Sequence, residues 1–257
     1  MSATQPPLVA ARGLAWHAGG RRILGPLELA VRSGERLAVV GGGDSAWRGH
    51  PRGHGYPQYV AATAALFARL DCSAVDLVGT SMGGLIGMML AAQPDSPIRR
   101  LVVNDVGPFI PQAGLERILD YFGKDPFFED LAAAEAYHRT TYAGFGALSD
   151  AQWRHLTETS LRRDGEGWRL HYDPRIAEPW RNIELEDVNL WPVWDAIAIP
   201  VLVLRGAASD LLLAETAAEM AARGPRARVT EIAGCGHAPA LLDATQTKPL
   251  RDWLNAE

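Results

Sequence analysis

Ser81 lies within Gly79-Thr80-Ser81-Met82-Gly83, and two further reactive side chains follow it downstream. Asp210 closes Leu204-Arg-Gly-Ala-Ala-Ser-Asp210, and His237 sits in Gly234-Cys-Gly-His237-Ala-Pro239. A hydroxyl, a carboxylate and an imidazole that converge in one site are suited to acyl transfer, in which an activated oxygen attacks a carbonyl carbon. G-x-S-x-G is the signature of a sharp strand-to-helix turn that lifts a serine oxygen clear of the backbone. So tight a bend leaves no room for nearby Cβ atoms, and we read Gly79 and Gly83 as the positions that remove them.

The elements that must hold these residues are legible on either side of them. Residues 74–78, Ala-Val-Asp-Leu-Val, form a short apolar run suited to a buried strand, and 84–92 continue as an apolar helix. The run Ile199-Pro-Val-Leu-Val-Leu204 reads as another buried strand, which leaves Asp210 in the loop at its end. A helical stretch over 212–223 precedes a strand at 227–232, and His237 follows in a glycine-flanked loop. Open α/β sheets gather their reactive groups at such strand ends. The apolar run Leu101-Val-Val-Asn-Asp105, the strand after the elbow helix, carries a second carboxylate at its own end.

On these three motifs, residues from about 47 to the C-terminus resemble the α/β-hydrolase superfamily, its bacterial esterase-like members in particular. The order Ser, Asp, His along the chain is that of this superfamily and differs from the orders in the chymotrypsin and subtilisin folds. The resemblance implies Ser81 as nucleophile, His237 as base, Asp210 as orienting acid and the Met82 N–H as an oxyanion donor, with Asp105 as the alternative acid. It also implies ester or thioester substrates, because a serine nucleophile points away from epoxide hydrolases and haloalkane dehalogenases. The expected fold is α/β, a mainly parallel sheet with helices on both faces and an inserted helical cap. We place the core at 46–106 and 186–257 and the cap at 107–185, with helices at 115–122, 128–142 and 150–162. Trp153, Trp168, Trp180, Trp191 and Trp194 are candidates either to line an acyl pocket or to pack this segment onto the core.

Residues 1–45 follow another pattern. Residues 8–41 resemble the opening strands of an ABC-transporter ATPase, but the phosphate-binding loop that should follow is absent. Where G-x-x-x-x-G-K-[ST] counted from Gly41 requires Gly, Lys and Ser or Thr, the chain has Ala46, Trp47 and Arg48. The position that usually stacks an aromatic ring on adenine is Ala18. An ATPase fragment is therefore a resemblance without its chemistry. The oxyanion loop that ordinarily precedes the elbow in α/β-hydrolases is also unmatched. Arg36-Leu-Ala-Val-Val40 fits as a substitute for the strand just before the helix at 57–70, which makes the N-terminus a rearranged one. A catalytically silent member of the superfamily is the alternative reading.

The chain has 257 residues, 47% apolar and 21% charged, enough to bury one sizeable core. A net charge of −5 and the lack of basic runs argue against a nucleic-acid surface. Cys72 and Cys235 are read as reduced thiols, and the remaining histidines, at 17, 50, 54, 138, 155 and 171, show no ligand spacing. No cofactor or metal is implied. The sequence has no apolar window long enough for a membrane span and no leader pattern, so a cytoplasmic location is expected.

Overall fold

The computed structural model describes residues 9–18, 21–31, 54–69, 74–181 and 183–256. Strands β1 (Val9–Ala18) and β2 (Arg21–Val31) pair antiparallel in a sheet of their own. Residues 36–48, where the substitute strand and the phosphate-loop comparison fall, lie outside the described residues, as does Cys72.

Among the described residues, the site rests on a four-stranded parallel sheet. Its strands are β3 (Val75–Thr80), β4 (Ile98–Asn104), β10 (Val201–Gly206) and β11 (Arg228–Ile232), in the order β11-β10-β4-β3. Parallel neighbours need crossovers, which helices α2 (Met82–Ala91) and α7 (Ala214–Ala222) provide for β3 to β4 and β10 to β11. Helix α1 (Tyr56–Arg69) precedes β3, and α8 (Ala244–Leu254) closes the chain.

Strand periodicity sorts the apolar residues between two layers. Leu101, Val103, Val201 and Val203 face a core with Leu85 and Met88 of α2 and Met220 of α7. Val102, Leu202 and Leu204 face Leu250, Trp253 and Leu254 of α8 on the other side. Both faces of the sheet are thus covered, and the central strands read as nearly continuous apolar runs for that reason.

At the β3–β4 edge, Arg99 and Arg100 both donate to the Asp76 carboxylate. Arg100 also reaches the carbonyls of Trp253, Leu254 and Ala256, which caps the C-terminal end of α8 with a cation. Burial opposes ionisation of Asp76, but the hydrogen bonds and charges of Arg99 and Arg100 outweigh it and hold the carboxyl at about 2. A folded-state pKa below the unfolded value stabilises the fold above pH 4, and the gain is lost as pH falls toward 2. Asp76→Asn should therefore cost about 2 kcal/mol at pH 7, roughly 4–8 °C in Tm. Thermal melts of the two proteins should converge between pH 4 and pH 2.

Between β4 and β10 the chain runs through a long insert. It carries α3 (Gln112–Leu119), α4 (Leu131–Thr141), α5 (Asp150–Thr159) and a 3-10 turn at Pro174–Trp180. Ser149 and Gln152 form a reciprocal capping box at the start of α5, and Asp130 caps α4. The insert is not wholly helical, contrary to the sequence expectation. Strands β6 (Phe127–Phe128), β7 (Leu161–Asp164) and β8 (Gly167–Leu170) make a three-stranded antiparallel sheet. The helix expected to run to 162 ends at Thr159, where the chain enters this hairpin. A further short pair joins β5 (Phe109–Ile110) to β9 (Val188–Asn189), and α6 (Trp191–Asp195) leads back toward β10.

Candidate active site

Ser81 is held at the carboxyl end of β3 with φ 51° and ψ −118°, a strained backbone that a non-glycine residue adopts only when its surroundings impose it. Its N–H continues the sheet ladder to the Asn104 carbonyl at 2.9 Å, and its carbonyl accepts from Gly84 and Leu85 as α2 begins. Gly79 is required at this bend, since a Cβ there would lie 2.3 Å from the Gly83 carbonyl oxygen. Gly83 is not required in the way the sequence suggested. A Cβ at 83 would meet no atom within 4 Å, and the crowded position on the helix side is Gly84, against Val106 and Val103. Gly79→Ala should cost about 3 kcal/mol, roughly 6–12 °C in Tm, because the opposing atom is backbone. Gly83→Ala, in the first turn of α2 with open space for the new Cβ, should be neutral or slightly stabilising by the same thermal melts.

The Ser81 hydroxyl lies 2.9 Å from His237 Nε2. On the other side of the ring, His237 Nδ1 is 2.8 Å from Asp105 Oδ2. Nδ1–H donates to the carboxylate in this arrangement, which leaves Nε2 as the acceptor for the serine proton. Asp105 is fully buried, and a buried carboxylate must be surrounded by donors. It has them: Gly206 N–H donates to Oδ1 at 2.6 Å and the Ser209 hydroxyl donates to Oδ2 at 2.6 Å. Asp105 N–H bonds the Leu204 carbonyl at 2.8 Å, so this residue too extends the ladder past the end of β4.

Asp210, the acid first expected, stands elsewhere. Its carboxylate is half-exposed and takes a two-pronged ion pair from Arg117 of α3, with Arg117 Nη2 2.9 Å from Oδ1. The cause is a turn of the loop after β10, closed by Ser209 N–H on the Gly206 carbonyl at 2.9 Å. That turn aims Ser209 at Asp105 and sends the next side chain toward the insert. The loop after β10 thus supplies hydrogen bonds to Asp105, the carboxylate that the end of β4 places against His237.

Other ties were not anticipated. Asn104, fully buried, donates to Thr80 Oγ1 at 3.1 Å and to the Pro239 carbonyl at 2.9 Å, which joins the elbow to the histidine loop. Gly206 lets that loop approach closely, since a Cβ there would sit 2.2 Å from the Gly236 carbonyl oxygen. Gly236 N–H in turn bonds the Gly144 carbonyl of the insert at 2.8 Å. Cys235 is a buried free thiol whose pKa burial raises, so it stays protonated beside the site.

A recessed cavity of about 250 Å³ opens on Ser81 and Met82. Leu85, Val106, Leu115, Ile118, Phe122 and Leu211 make much of its wall, so core and α3 enclose it together. Of the five tryptophans considered, Trp180 lines it. Trp194 and Trp153 are buried in packing, Trp194 with Nε1–H on the Arg223 carbonyl, and Trp168 lies under the Arg163 guanidinium. The polar side chains on the wall include Tyr56, Tyr59, Tyr121 and His54. Burial, reinforced by Tyr59, pushes Tyr56 up to about 12, and burial also raises Tyr121, so both hydroxyls are neutral at physiological pH. His54 Nδ1 is 2.9 Å from Tyr59 Oη, and Nε2 is 3.4 Å from Asp173 of the insert. In the sequence His54 stands out only as a histidine without metal-ligand spacing, and its place on the cavity wall comes from the fold.

Met82 opens α2, where the first helical N–H groups have no partner within the helix and carry partial positive charge. Among the described residues no group of three or more potential metal ligands occurs, and no helix is long and apolar enough to cross a membrane.

Comparison with known proteins agrees with this architecture. The model of the alpha/beta hydrolase family matches residues 6–247. A 3-hydroxybutyrate-oligomer hydrolase of Cupriavidus necator is 45% identical over 217 residues, 81% of this chain and 74% of that protein. Esterase Rv0045c of Mycobacterium tuberculosis is 29% identical over 232 residues, 84% of this chain and 72% of the esterase. The crystal structure of an alpha/beta hydrolase from Novosphingobium aromaticivorans superposes with a TM-score of 0.75 at 34% identity and covers 83% of this chain and 76% of that one.

Proposed function

Because the chain belongs to the alpha/beta hydrolase family, we propose that it hydrolyses carboxylic esters through an acyl-enzyme, with Ser81 as nucleophile, His237 as general base and Asp105 as orienting acid. The observation that carries this reading is the unbroken relay from Ser81 Oγ to His237 Nε2 and from Nδ1 to the buried Asp105 carboxylate, at 2.9 and 2.8 Å. His237 takes the serine proton as Oγ attacks the ester carbonyl, and Asp105 stabilises the imidazolium so formed. The Met82 N–H donates to the oxyanion, an interaction that is worth about 2.7–4 kcal/mol when one such donor is removed. His237 then returns the proton to the departing alkoxide. Water, activated by the same imidazole, releases the acid from Ser81.

The likeness to a 3-hydroxybutyrate-oligomer hydrolase supports short ester-linked hydroxyacyl oligomers as substrates. The mainly apolar cavity, with hydroxyl-bearing side chains among its wall residues, suits an acyl group of that kind. A fluorophosphonate probe tests nucleophile, base and oxyanion pocket together without a guess at the natural substrate. The protein should be labelled stoichiometrically and Ser81→Ala should not. A well-folded wild-type sample that resists the probe would leave the silent member of the family as the correct reading.

A further inference from the structure

Tyr121 follows the last turn of α3, four residues after Arg117, and lines the cavity that opens on Ser81. Its ring is held from the side by Tyr142, edge to face with centroids 6.1 Å apart. Tyr142 in turn stacks on Phe145 at 4.9 Å, and the Phe145 carbonyl accepts from Ala240 N–H at 3.2 Å and from Gln246 Nε2 at 3.1 Å. An aromatic column thus ties this tyrosine to the segment that follows His237.

The hydroxyl end of the ring has a separate anchor. The chain keeps a helical turn past α3, with Tyr121 N–H and Phe122 N–H both on the Ile118 carbonyl, and residues four apart on such a turn are neighbours. Arg117 therefore stands beside the Tyr121 hydroxyl. Burial raises the Tyr121 pKa, and the charge and N–H groups of Arg117 pull it down in part. Asp210 fixes the guanidinium through both carboxylate oxygens. This carboxylate thus acts on the cavity wall at one remove, through Arg117.

The placement of protons sets what the hydroxyl offers a substrate. A guanidinium has N–H groups and no acceptor, so Arg117 addresses the Tyr121 oxygen, and the phenol proton is left for an acceptor elsewhere. Hydrogen bonds in a chain polarise one another, which makes a phenol facing a cation the better donor. Leu115, Ile118, Phe122 and Leu211 share the wall, so a plain alkyl chain packs there but leaves the O–H facing carbon. A chain that bears oxygen gives it an acceptor.

From these contacts, and resting on the ester-hydrolase reading above, we infer that Tyr121 selects acyl groups that carry oxygen beyond the scissile carbonyl. In the 3-hydroxyacyl substrates proposed above that oxygen is on the third carbon. It accepts from Tyr121 O–H whether it is a free hydroxyl or the link to a further unit. Arg117 and Asp210 are positioning residues that act through Tyr121, holding the phenol and turning its proton toward the substrate. A site that fully buries such a bond rejects the analogue without the oxygen by about four orders of magnitude. Tyr121 is only half-buried, so water replaces part of the lost bond and the expected discrimination is about tenfold.

A pair of esters tests this role. The ratio of kcat/KM for p-nitrophenyl 3-hydroxybutanoate to that for p-nitrophenyl butanoate should fall about tenfold in Tyr121→Phe, which keeps the ring against Tyr142 and removes only the hydroxyl. Asp210→Asn and Arg117→Met should lower the same ratio by about twofold to fivefold, and Arg117→Lys should restore part of it. Loosening of α3 as a whole would slow both esters together and leave the ratio in place, so the ratio separates positioning from mere support. An unchanged ratio in Tyr121→Phe would overturn the selection by Tyr121. A fall there without one in Asp210→Asn or Arg117→Met would overturn the positioning through Arg117. Either result leaves the ester-hydrolase reading standing. If the wild type hydrolyses neither ester and the fluorophosphonate does not label it, both readings fall together.

Discussion

Asp105→Asn should lower kcat for p-nitrophenyl butanoate by about four orders of magnitude, and Asp210→Asn should leave it within about threefold. An amide at 105 puts an N–H group or a weaker acceptor against His237 Nδ1, which turns the imidazole toward the tautomer that cannot accept the serine proton. It also withdraws the charge that stabilises the imidazolium. The loss belongs to kcat more than to KM, because the carboxylate is fully buried behind the histidine and is absent from the cavity wall. Asp210→Asn weakens a half-exposed ion pair with Arg117, an interaction worth about 0–1 kcal/mol of stability. Kinetics of both variants, with circular dichroism to check folding, decide between the two carboxylates. A fall of several orders of magnitude in Asp210→Asn alone would return the acid to the loop after β10.

That pair of residues also marks where sequence reasoning stops. Strands β3, β4 and β10 were legible because each holds a short apolar run, with a polar residue that matters at or just beyond its end. Asp105 and Asp210 are both carboxylates just beyond neighbouring parallel strands, β4 and β10. The choice between them rests on a single-residue parity in the turn at 206–209, which aims Ser209 inward and Asp210 outward. No propensity or pattern expresses that parity. The role of Gly83 was misjudged for a similar reason: the motif names two glycines, but only the Cβ of residue 79 would strike backbone.

The insert was harder to read. Arg162, Arg163 and Asp164 dilute the apolar alternation of the β7–β8 hairpin, so the sequence pattern alone carries the helix on to 162. Gly165 was the available signal, since it takes a positive φ of 60° as the first residue of the two-residue connection Gly165-Glu166. The tryptophans could not be sorted by type, because a large aromatic serves packing and pocket equally well. Their neighbours decide, and Trp180 reaches the cavity only through the 3-10 turn that carries it.

Ser81→Ala and His237→Ala should each lower kcat by about six orders of magnitude, and the double variant should lose no more than either alone. The reason is that the two side chains act as one device. Their 2.9 Å contact is the path by which the serine proton leaves, so an imidazole without the hydroxyl has nothing to activate, and a hydroxyl without the imidazole is too weak a nucleophile. Rate that survives in all three variants comes from the cavity and the Met82 N–H, which act on the ester through orientation and oxyanion stabilisation. The stability of Ser81→Ala should not fall, and relief of local strain is not expected either, since alanine at φ 51° is as constrained as serine. Single-turnover kinetics on p-nitrophenyl butanoate, with a burst present in the wild type and absent from the variants, provide the measurement. Losses that multiply in the double variant would mean that His237 and Ser81 serve separate steps, and the relay would then not be the catalytic unit.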